Sequence, residues 1–166
     1  MNRISLLSKE ISGRIAAGEV VVNPASVVKE LVENSIDAEA TSIVVEIKNG
    51  GKSYIRVTDD GQGIAADEVE TAFLRHATSK IQSVQDLSSI ETLGFRGEAL
   101  ASISAVSRTE ILTKRHHEKI GRRVLMHGGE TLANEQTGCP DGTTMIVTDL
   151  FYNTPARLKF MKGDSA

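Results

Sequence analysis

The turn Asn49-Gly50-Gly51 lies between two short apolar runs, Val44 to Lys48 and Ser53 to Thr58. Asn and Gly accept the backbone angles of a tight reversal, so this turn forces the two runs together as an antiparallel hairpin. The returning strand then fixes where its side chains point. Ile55, Val57 and Asp59 fall at i, i+2 and i+4, which is one face of the pleat. A carboxylate in register with two core residues needs hydrogen-bond donors, or it carries a heavy desolvation cost. The hairpin runs out in Asp59-Asp60-Gly61-Gln62-Gly63-Ile64. Here Asp60 reads as the solvated acid of a capped turn, and Asp59 does not. The exocyclic amine of a purine is a suitable donor for Asp59, and Gly61 and Gly63 would let a flat base lie close to the backbone.

The hairpin sits among helices on its N-terminal side and strands further on. Asn23-Pro24 reads as an N-cap followed by proline at the first helical position, opening a helix to about Ile36. Before it, Ser8 to Ala17 reads as a shorter helix ending at Gly18. Asp67 to Leu74 reads as helical, and Ile81 to Leu93 as a long mobile loop. The stretch Glu98 to Val106 reads as a helix, followed by strands over Arg108 to Thr113, Gly121 to His127 and Thr143 to Leu150. This order predicts an α+β two-layer sandwich, with helices packed on one face of a mixed β-sheet. At 166 residues the chain fits a single domain.

The helix from Pro24 divides into two faces. Val28, Leu31, Val32 and Ile36 form the apolar stripe, whereas Glu30, Glu33, Asn34 and Asp37 share the other side. Spacing alone makes that second face a solvated acidic one. Its functional reading needs Asn34 and Glu30 together. An amide oxygen suits Mg²⁺, and a carboxylate one turn earlier could accept a proton from an attacking water.

The segment Gly94-Phe95-Arg96-Gly97-Glu98-Ala99-Leu100 brackets an arginine with glycines and feeds a helix start. Free backbone N–H groups and the positive end of a helix dipole suit an anion there. Thr78-Ser79-Lys80 offers a lysine and two hydroxyls for phosphate, and Thr143 opens the last long strand where it could reach a base through water. By contrast Gly51-Lys52-Ser53 only mimics a Walker A ending, since Glu46 stands where that motif needs glycine. No strand-embedded G-x-G-x-x-G is present, so a Rossmann site is unsupported.

Composition narrows the classes further. The net charge of −3 argues against a dedicated nucleic-acid-binding domain. The basic residues Lys114, Arg115, His116, His117, Lys119, Arg122 and Arg123 read as a solvated hairpin tip. The single cysteine, Cys139, excludes an internal disulfide and points to a reducing compartment. The four histidines lack zinc-type spacing, and no apolar run is long enough to span a bilayer.

Read in order, these pieces resemble the Bergerat-type ATP-binding fold of gyrase B, the ninety-kilodalton heat-shock chaperones, histidine kinases and MutL. The stretches IAAGEVV (Ile15 to Val21), PASVVKELVENSIDAEAT (Pro24 to Thr41), RHATSKI (Arg75 to Ile81), GFRGEALASI (Gly94 to Ile103) and DLFYNTPARLKF (Asp149 to Phe160) are similar to the MutL/PMS family of DNA mismatch-repair ATPases. That resemblance implies an ATPase using ATP and Mg²⁺. It implies Glu30 as general base, Asn34 as the metal ligand, Asp59 on the adenine amine and Gly63 near the base. It places Thr78, Ser79 and Lys80 in a responsive nucleotide-contacting segment. Gly94 to Leu100 would form a lid whose backbone holds the phosphates, and Thr143 would be the threonine of the final motif. It further implies nucleotide-gated N-terminal homodimerisation, and a mismatch-recognition protein and DNA as partners of the full-length protein, with no membrane. A cytoplasmic location is expected in a bacterium, and a nuclear one in a eukaryote. The family's second domain and C-terminal dimerisation region are expected beyond these residues, so hydrolysis by this stretch alone should be slow. Two other readings are a conformational interaction module without turnover and a histidine-kinase-like phosphotransferase domain.

Overall fold

The computed structural model describes residues 21–73 and 99–161. In chain order these form α1 (Pro24–Asp37), β1 (Ile43–Lys48), β2 (Tyr54–Asp59), α2 (Val69–Ala72), α3 (Ala99–Ala105), β3 (Arg108–Lys114), β4 (Gly121–His127), β5 (Glu130–Thr137), β6 (Gly142–Thr148) and α4 (Pro155–Lys159). The expected helix over Ser8 to Ala17 and the loop over Ile81 to Leu93 lie outside the described residues.

The strands build one sheet in the order β1-β2-β6-β3-β4-β5. The layered α+β design is as expected, but every ladder among the described residues is antiparallel, so this sheet is not mixed. Short reversals join β1 to β2, β3 to β4 and β4 to β5. Parallel neighbours would need long crossover connections instead. The last strand, β6, inserts between β2 and β3, antiparallel to both. β5 was not foreseen. Its residues are mostly exposed on both faces, so it lacks the apolar alternation that announces a strand.

One face of the sheet carries the core. Ile55 and Val57 of β2, Ile111 of β3, Val124 of β4 and Val147 of β6 are buried there with Val27 and Leu31 of α1 and Ile103 of α3. α1 begins as its sequence dictates: the Asn23 side chain accepts from the Ser26 N–H (2.9 Å), and the Ser26 hydroxyl accepts from the Asn23 N–H (3.1 Å). Its inward row differs from the expected stripe. Val27, Leu31 and Ser35 point in, Val28 and Val32 pack partly buried beside them, and Ile36 is 51% exposed. Turning Ser35 inward is stabilised by a bond to a buried acid of β2, so a polar residue takes a core position and Ile36 rolls outward.

After β6 the chain folds back over α3. Leu150 and Phe151 are buried, the Phe151 N–H donates to the Val106 carbonyl (2.7 Å), and the Asn153 amide donates to the Ala105 carbonyl (2.9 Å). The Phe-Tyr-Asn stretch is therefore a clamp on the end of α3. At the β3–β4 tip, Lys114 donates to the Glu118 carbonyl (2.8 Å) and pairs with Asp141. His116 and His117 stay exposed, as a solvated tip requires.

Candidate functional site

The ends of three neighbouring strands place Asp59, Thr143 and Thr113 side by side. Asp59 of β2 pairs with Thr143 of β6, and Thr143 pairs with Thr113 of β3. Opposed residues of an antiparallel sheet share a face, so these three side chains form one row on the helix side. α1 crosses above it and lowers Ser35 onto Asp59.

Asp59 is buried, as the strand register predicted, and its donors among the described residues are all neutral. Its Oδ2 accepts from the Ser35 hydroxyl (2.7 Å), and its Oδ1 accepts from the Gly61 N–H (2.9 Å) and the Thr143 N–H (3.2 Å). A carboxylate offers about four acceptor positions. Among the described residues three are filled, and the one left is on Oδ2. Among the described residues no cation pairs with Asp59, so the fourth position suits a neutral N–H donor brought by a ligand.

Asp60 next door behaves as the solvated acid it was read to be. It is exposed and accepts from the Thr41 hydroxyl (2.6 Å), the Ser42 N–H (2.9 Å) and the Thr41 N–H (2.8 Å). The Thr41 hydroxyl above all, with those N–H groups, holds its carboxyl below the usual range. It ties the α1–β1 connection to the end of β2 and leaves Asp59 to face inward.

Two glycines let this corner close. Gly63 has φ +71° and lies so near the Lys114 carbonyl that a Cβ would collide with it. Gly142 has φ +105°, and a Cβ there would strike the backbone of Asp59. Any side chain at Gly142 would push β6 off β2 and break the Thr143–Asp59 bond.

Glu30 and Asn34 lie one turn apart on α1 and are half-buried rather than fully solvated. Both make further polar contacts. Their neighbour Glu33 forms an i,i+4 pair with Lys29 (3.7 Å). The described residues contain no cluster of three or more His, Cys, Asp or Glu fit to hold a metal alone. The amide oxygen of Asn34 would suit Mg²⁺, which takes few protein ligands and completes its shell with phosphates and water.

Ala99 is buried and Leu100 packs partly buried on the core, so any ligand contact they make would use the backbone. Thr78, Ser79, Lys80, Gly94, Phe95, Arg96, Gly97 and Glu98 lie outside the described residues. Two residues of the corner escaped the sequence reading. Ser35 was legible as a polar residue eight positions after Val27 on the buried row. Thr113 continues the alternation of Thr109 and Ile111, which looks like ordinary strand patterning. Cys139 stays a half-buried loop residue whose thiol is pushed up by burial, which disfavours the reactive thiolate.

The family model described as histidine kinase-, DNA gyrase B- and HSP90-like ATPase covers residues 22–136. The chain is 59% identical over 162 residues to the DNA mismatch repair protein MutL of Agathobacter rectalis, covering 98% of this chain and 25% of that protein. It is 55% identical over 165 residues to MutL of Symbiobacterium thermophilum, covering 99% and 26%. It thus spans about a quarter of the length of these relatives. The Aquifex aeolicus MutL ATPase domain complexed with ADP superposes with a TM-score of 0.67 at 37% identity, over 88% of this chain and 50% of that one.

Proposed function

This chain belongs to the histidine kinase-, DNA gyrase B- and HSP90-like ATPase family, and from that premise we propose that it is the ATP-binding domain of a MutL-type mismatch-repair protein. The observation that carries the reading is Asp59, a buried carboxylate at the end of a strand that, among the described residues, has only neutral donors and one acceptor position left. It accepts one hydrogen of the adenine amine, with Gly63 near the base. The relative that holds ADP supports a nucleotide as the ligand.

In this reading Asn34 holds Mg²⁺, which supplies charge neutralisation on the phosphates. Glu30, one turn earlier on α1, takes the proton of the attacking water. Backbone N–H groups of the Gly94 to Leu100 segment cradle the phosphates, and Thr78, Ser79 and Lys80 respond to them. The 166 residues act as one domain. Hydrolysis by these residues alone is slow. Nucleotide binding orders the lid and promotes N-terminal homodimerisation in the full-length protein, with hydrolysis resetting it. A mismatch-recognition protein and DNA are its partners, in the cytoplasm of a bacterium. No described helix is long and apolar enough to cross a membrane.

Titration with a non-hydrolysable ATP analogue tests the reading, with and without Mg²⁺. Magnesium-dependent binding lost in Asn34→Ala is expected. Glu30→Ala should keep binding and lose turnover. Binding indifferent to both Mg²⁺ and Asn34→Ala would overturn the metal assignment, and surviving turnover in Glu30→Ala would overturn the base.

A further inference from the structure

Thr113 is 1% exposed, yet its hydroxyl is the meeting point of three separate backbone segments. Its Oγ1 accepts from the Ile64 N–H (2.9 Å), just past the Asp59–Gly63 loop. It donates to the Gly142 carbonyl (3.1 Å) at the start of β6, and Thr143 Oγ1 lies 2.8 Å away. A threonine hydroxyl has one hydrogen and two acceptor positions. Ile64 fills one acceptor position; the single hydrogen has two acceptors in reach, the Gly142 carbonyl and Thr143 Oγ1, and giving it to Gly142 is the choice that makes all three contacts hydrogen bonds. The bond to Thr143 can then form only if Thr143 donates its own hydrogen into the last position. This arrangement satisfies every capacity of a buried hydroxyl, as burial demands.

The consequence reaches the ligand. With its hydrogen turned toward Thr113, Thr143 presents only lone pairs to the space beside Asp59, which is itself acceptor-only. We propose that Thr113 is a positioning residue that fixes Thr143 as an acceptor, making this rim of the base pocket select a purine 6-amino group over a 6-oxo group. The inference rests on the ATP-site reading above. A 6-amino group offers two hydrogens to the two acceptors, directly or through a water. A 6-oxo group places a third acceptor against them, and an unpaired buried acceptor discriminates strongly.

The test compares ATP and ITP binding in the chain and in Thr113→Val, Thr113→Ser, Thr143→Val and the Thr113→Val/Thr143→Val pair. Valine keeps the shape at position 113 but frees the Thr143 hydrogen to rotate toward the ligand. The preference for ATP over ITP should fall about tenfold in Thr113→Val, the scale of one hydrogen bond. It should return in Thr113→Ser, and the double variant should lose no more preference than Thr143→Val. Equal weakening of both nucleotides in Thr113→Val, failure of serine to restore the ratio, or additive losses in the double variant would reduce Thr113 to a structural role. If Thr113→Val does not fold, Thr143→Val decides, since it removes the rim acceptor without touching Ile64 or Gly142. An unchanged ratio there overturns the proposal. Asp59→Asn keeps the two questions apart: undiminished ATP binding in that variant would reject the site reading itself, whatever position 113 does.

Discussion

β1 and β2 pair residue for residue in one hairpin, yet only β2 belongs to the core. Ile47 faces Ile55 and Val45 faces Val57 across the ladder, on the same side of the sheet. Ile55 and Val57 are 0% and 2% exposed, whereas Ile47 and Val45 are 55% and 41% exposed. Both strands look alike in sequence, because both alternate apolar residues. What separates them is the neighbour on the far side. β2 is flanked by β6 and roofed by α1, while β1 is an edge of the sheet among the described residues. The same contrast separates Asp59 from Asp60. One is turned inward onto Ser35 and Thr143, and the other outward onto Thr41 and Ser42.

The largest expected effect is on the paired isoleucines. Ile55→Ala should cost about 2–5 kcal/mol of unfolding free energy, the range for emptying a packed aliphatic site. Ile47→Ala should stay within about 0.5 kcal/mol, as exposed substitutions do. Denaturant melts of the two variants would measure both, and equal losses would mean that β1 is covered in solution.

Between the two acids, Asp59→Asn should weaken ATP-analogue binding about 10- to 100-fold, the scale of one hydrogen bond to a charged acceptor. Asparagine also turns an N–H toward donors that need an acceptor. Asp60→Asn should leave that affinity nearly unchanged, and calorimetric titration of both variants would separate the two roles.

The smallest effect concerns the titration of Asp60. Its folded carboxyl is held below the ordinary 3.8, chiefly by the Thr41 hydroxyl. The stabilisation this gives is therefore complete above that value, and it is lost as the pH falls through the lower folded value. In Thr41→Val the Asp60 midpoint, followed by carboxyl NMR, should move up toward 3.8. An unmoved midpoint would assign the shift to the N–H groups of Thr41 and Ser42 instead.

Much of this molecule was legible before folding. Asn23-Pro24 set the start of α1, Asn49-Gly50-Gly51 set the hairpin, and the period of two in β2 turned Asp59 inward. These are local effects, written in capping chemistry, turn angles and pleat. β5 was hidden because an exposed edge strand needs no apolar period, and its pairing to β4 supplies the order its residues do not announce. The α1 stripe was misjudged by part of a turn because Ser35 reaches a partner 24 positions away.

The sequence by itself determined that a buried carboxylate would stand at the end of a strand, beside glycines that let the chain close tightly around it. Only the tertiary structure decided which groups would satisfy it. Gly61 is a local donor two residues on, but Ser35 and Thr143 come from a helix and another strand, and nothing in their spacing links them to Asp59. Hydrogen bonds of a few ångströms are made by whichever elements the sheet order brings together. That order, with β6 slipped between β2 and β3, is a property of the packed chain rather than of any segment in it.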